Sequence, residues 1–169
     1  MISATGSPKT DRSGVTLLEL ILVMSLLLVL LALVTPQLNR FSRARVLHAQ
    51  AETVLASLHS GRDRSAADAL DYRFEIDGRT CRLLRQDGAA FAQVQDTSCG
   101  TIELPDNITA RMDGIDGQTA PEHVDFTPTG AATPARVTLA DGDGRELYLV
   151  CRTTLEPFFL TDNEEDATP

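Results

Sequence analysis

Residues 14–19, Gly14-Val15-Thr16-Leu17-Leu18-Glu19, open an apolar run that reaches Val34 and is closed by Thr35-Pro36. From Leu17 to Val34 only Glu19 and Ser25 are polar, and those 18 residues are long enough to cross a bilayer core as a helix. A carboxylate inside such a run costs about 3 kcal/mol even on the milder insertion scales, so an acid there is a functional signal by default. If the chain is cut after Gly14, the new amino group of Val15 and the Glu19 carboxylate lie about one helical turn apart. Each charge then offsets the burial of the other, within one chain or between neighbours. The plain alternative is an anchor helix with a stray acid near its end. A secretory signal is a further rival, but the exit Leu33-Val34-Thr35-Pro36 lacks the small residues such a cleavage site needs.

Beyond Pro36, which kinks a helix without always stopping it, Leu47, Ala51, Val54, Leu55 and Leu58 recur at helical spacing. That pattern predicts an amphipathic second half whose stripe packs on a folded domain. Gly61 is the expected end, although Ser65 to Leu70 could carry a further helical stretch. After Leu70 the period changes to two: Tyr72, Phe74 and Ile76 alternate with Arg73 and Glu75, and Asp77-Gly78 signals a hairpin into Thr80–Arg85. Further strands are expected at Ala90–Gln95, Thr101–Leu104, Ile108–Met112, His123–Thr127, Arg136–Ala140 and Glu146–Val150, separated by turns rich in Gly, Asp and Pro. The stretch Thr161–Pro169 reads as an acidic, solvated tail. The fold class is therefore α+β, one long N-terminal helix on antiparallel β structure.

The Gly14 to Glu19 stretch, followed by about twenty membrane-compatible residues, resembles the class III signal of the type IV pilin and type II secretion pseudopilin superfamily. The resemblance implies that a prepilin peptidase cuts between Gly14 and Val15 and methylates Val15, where the family most often has phenylalanine or methionine. It implies that Glu19 docks the subunit into a growing filament. The β part is similar to the minor pseudopilin H and FimT-type group, on the stretch Val124-Asp125-Phe126-Thr127-Pro128-Thr129-Gly130 with Arg136-Val137-Thr138-Leu139, Gly144 and Leu147-Tyr148-Leu149-Val150. On this reading residues 1–14 are a cleaved leader and 15–36 the transmembrane half of a pilin-like helix. Residues 37–70 are its amphipathic periplasmic half, 71–160 a β-rich domain and 161–169 the tail. The localisation implied is the bacterial inner membrane, single-pass, with the globular domain in the periplasm. Lys9 and Arg12 precede the run whereas Arg40, Arg43 and Arg45 follow it, so simple positive-inside counting favours the opposite orientation. The resemblance and the exported character of the domain point the other way.

The formal charge is −9, and the leader carries Lys9 and Arg12 against Asp11, which leaves the mature part more acidic still. Lys9 is the one lysine. An acidic chain whose arginines mostly alternate with acids is a poor generic nucleic-acid binder, and none is expected as a partner. Cys81, Cys99 and Cys151 form no Cys-x-x-Cys pair. In an oxidising compartment three disulfide pairings are open; Cys81–Cys99 is nearest in sequence, and no bridge at all fits as well. Cys151 extends the Leu147, Leu149 face and reads as a small buried apolar residue. His48 and His59 share a helix face without a metal motif and read as solvated. Asp141 and Asp143 read as a hairpin turn rather than a calcium loop, which needs six or more oxygens. No nucleophilic constellation marks an enzyme, and no metal or cofactor is expected. The expected function is that of a minor pseudopilin, a structural subunit of a type II secretion pseudopilus. Its partners would be other pilin-like subunits, the prepilin peptidase, the inner-membrane secretion platform and the membrane. The rival readings are a FimT-type minor pilin of a type IV pilus, linked to DNA uptake, and a membrane-anchored periplasmic domain with no filament role.

Overall fold

The computed structural model describes residues 16–94, 100–115 and 119–163; within its helix the side chains of residues 32–41 lie outside the description. Among the described residues one helix, α1, spans Leu17–Asp68, and nine strands follow: β1 (Tyr72–Asp77), β2 (Thr80–Asp87), β3 (Ala90–Gln93), β4 (Thr101–Glu103), β5 (Ile108–Asp113), β6 (His123–Phe126), β7 (Ala135–Asp141), β8 (Glu146–Cys151) and β9 (Phe159–Thr161). The chain divides into two compact units, Met1–Phe41 and Ser42–Pro169.

In the second unit all strand pairs are antiparallel. One sheet runs β3-β2-β1-β6, with β4 also paired to β2, and the other runs β5-β7-β8-β9. The alternation read from the sequence sets the register. Phe74 opposes Leu83 and Val124 across β1, so the apolar members of three strands meet on one face. Gly78 (φ 61) makes the tight turn between β1 and β2, a backbone conformation that side-chain-bearing residues rarely adopt.

A single core joins the helix to both sheets. Leu47, Val54 and Leu58 of α1 are buried with Tyr72, Phe74 and Leu83 of one sheet and Ile108, Val137 and Leu149 of the other. The predicted stripe is therefore the packing face, with Ala51 buried as well and Leu55 partly so. A smaller cluster of Ile115, Tyr148 and Val150 covers the opposite face of β8, so that strand is buried on both sides.

Of the two ends the sequence left open, Gly61 is not the end: the helix runs on through Ser65 to Asp68. A methyl group in place of the Gly61 hydrogen would stand 2.8 Å from Leu83 Cδ1 and from Phe126 Cε2. The glycine lets the helix approach the sheet rather than leave it. Termination comes at Asp68, followed by Ala69 in the left-handed region (φ 54), the position where helices most often place glycine. Strand β9 is a correction: Thr161, read as the start of the tail, pairs with Tyr148. Residues 164–169 and Gln95 lie outside the described residues.

Candidate assembly site

The start of α1 is built by its own sequence. Thr16 is the N-cap: its carbonyl accepts from the Leu20 amide at 3.2 Å, and its Oγ1 accepts from the Glu19 amide at 3.2 Å. Thr-x-x-Glu is the capping-box spacing, in which the acid also suits the positive end of the helix dipole. The sequence reading missed this cap by Thr16, although the Thr-x-x-Glu spacing shows it. Gly14 and Val15 lie outside the described residues.

From Leu17 to Leu31 every residue of the helix but Glu19 and Ser25 is apolar. Its large apolar side chains are all exposed, from 46% at Leu27 to 79% at Leu17. Ser25 does not break the pattern, because its hydroxyl donates to the Leu22 carbonyl at 2.8 Å. A helix that is hydrophobic all round has no side suited to water. Among the described residues no helix is long and apolar enough to cross a membrane. The stretch with described side chains ends at Leu31, whereas the apolar run in the sequence continues to Val34.

In the globular unit the arginines pair with acids both between strands and along one strand. Arg73 grips Asp125 through Nε (2.7 Å) and Nη2 (3.2 Å) and lies over the Phe91 ring at 4.1 Å. Arg111 pairs with Asp113 at 3.1 Å and with Glu146 at 3.2 Å, which raises its pKa, the Asp113 hydrogen bond being the main cause. These pairs order the outer sheet faces and leave the arginines engaged.

The other residues that might carry chemistry are occupied structurally. Asp141 Oδ1 accepts from the amides of Asp143 and Arg145 and shapes the β7–β8 turn, while Asp143 pairs with Arg43 at 2.9 Å. His48 lies 3.5 Å from Glu52. His59, expected to be solvated, is exposed yet bonds through Nε2 to the Phe158 carbonyl at 2.8 Å, tying the helix to the segment before β9. His123 and Arg73 share Asp125, His123 at 3.3 Å.

Cys81 and Cys151 are both free and buried in the core. Burial pushes the Cys81 thiol up to about 12; burial, then the charge of Glu156, pushes Cys151 up to about 11 against a lowering by Arg62. Cys151 lies on the Leu149 face, as its alternation suggested. Cys99, the candidate partner of Cys81, lies outside the described residues.

No protein-family profile and no curated protein matches the sequence. Solved structures do match in shape. Two structures of the minor pseudopilin EpsH from the type II secretion system of Vibrio cholerae align with TM-scores of 0.55 and 0.59, at 15% and 13% identity. They cover 68% and 69% of this chain and 93% of each matched chain. The solution structure of E. coli GspH aligns with a TM-score of 0.53 at 19% identity, over 71% of this chain and 88% of GspH. At these identities the likeness is one of fold: this chain has the α+β architecture of the minor pseudopilin H structures, an N-terminal helix on antiparallel sheets.

Proposed function

We propose that this protein is a minor pseudopilin, a structural subunit of the pseudopilus of a type II protein secretion system. The observation that carries the reading is the fold shared with EpsH and GspH in a chain whose helix begins at Thr16-Leu17-Leu18-Glu19. Either feature alone is weaker, since folds host many functions and the N-terminal signal says little about a domain.

In this reading the run from Leu17 to Val34 anchors the subunit in the inner membrane and the domain beyond it lies in the periplasm. Exposed apolar side chains on every face of the first turns suit lipid before assembly and a bundle of like helices after it. Glu19 is held on the first turn by the Thr16 cap. A prepilin peptidase cutting after Gly14 frees the Val15 amine, the charge that Glu19 of the same or a neighbouring subunit would meet. Removing one member of such a buried pair costs about 3–5 kcal/mol, enough to decide whether a subunit joins a filament. The role is mechanical rather than catalytic: the subunit joins other pilin-like subunits on the inner-membrane platform.

Processing tests the reading directly. Gly14→Val should block cleavage and leave the chain heavier by its 14-residue leader in the membrane fraction. Intact-mass measurement of wild type and variant decides it, and an unchanged mass would remove the class III assignment.

A further inference from the structure

We draw no further inference here: the strongest candidate, the hollow of about 470 Å³ between the end of α1 and the β2–β3 hairpin, sets Arg64 and Arg85 against Asp68 and Asp87, and with its charges offset nothing in the structure shows what covers it.

Discussion

At the residue scale the helix start and the docking role proposed for Glu19 separate by chemistry. The Thr16 cap on the Glu19 amide fixes where α1 begins, while the charge of the acid has no partner of opposite sign within the capping box. Gln can follow threonine in a capping box as well as Glu, so Glu19→Gln removes the charge and leaves the helix start. The core cysteines behave in the opposite way, as small apolar residues. A thiol reacts as its thiolate, and with values of about 12 and 11 neither Cys81 nor Cys151 is ionised near pH 8. Alkylation of the native protein at pH 8 should therefore spare both, and denaturation should expose both. Peptide mapping reads this; rapid native labelling of Cys81 would contradict its burial, and a Cys81 that stays unlabelled after denaturation would reveal a bridge. Tyr72 gives a pH dependence. Burial, then its 2.5 Å hydrogen bond to Asp68 and that carboxylate's charge, raises its pKa from 10.0 to about 12. The folded state thus holds a proton that the unfolded state releases above about pH 10. Stability should be unaffected by Tyr72 below pH 10 and fall from there towards pH 12. Tyr72→Phe should flatten that decline in urea titrations, and an unchanged slope would show that Tyr72 ionises freely.

At the element scale the helix and sheets were legible where periodicity carries the information. The stripe Leu47, Ala51, Val54 and Leu58 and the alternation of β1 are local patterns, and they fold as they read. Gly61 was not legible because its meaning lies across the fold, in Leu83 and Phe126, which no neighbour in sequence reveals. Its substitution separates the two readings. Gly61→Ala gains about 1 kcal/mol of helix propensity but overpacks a contact, which costs about 1–3 kcal/mol. The net expectation is a loss of about 1 kcal/mol in urea unfolding followed by tyrosine fluorescence, since both tyrosines lie in the globular unit and tryptophan is absent. A gain would mean that Gly61 is a tolerated weak point. Ala69 offers the converse: a left-handed alanine costs about 1 kcal/mol, so Ala69→Gly should raise stability by about that much in the same measurement. Strand β9 escaped because three residues, Phe159-Leu160-Thr161, are too few to show a period.

At the scale of the whole molecule the pilin-like architecture was readable from two features. The apolar run after Gly14 announced the helix, and the switch from a period of 3.6 to 2 after Leu70 announced what it packs on. The candidate assembly site was legible in part: Glu19 stands out because an acid in an apolar run is costly, whereas the Thr16 cap needed coordinates. The arginine–acid alternation, read as a reason against nucleic-acid binding, goes with ion pairs between and along strands that engage Arg73 and Arg111. A chain built this way has charge to spare for solubility, one apolar helix that water does not suit, and one carboxylate at its head. The account's central claim is that this carboxylate joins the subunit to its neighbours. Cross-linking through engineered surface cysteines, necessary because Lys9 is the one lysine and precedes Gly14, measures it in cells expressing Glu19→Gln. The account predicts a variant that is cleaved after Gly14, stable and membrane-inserted, yet absent from cross-linked complexes with other pilin-like subunits. A variant that assembles as wild type does would contradict it, and leave Glu19 as no more than a helix cap.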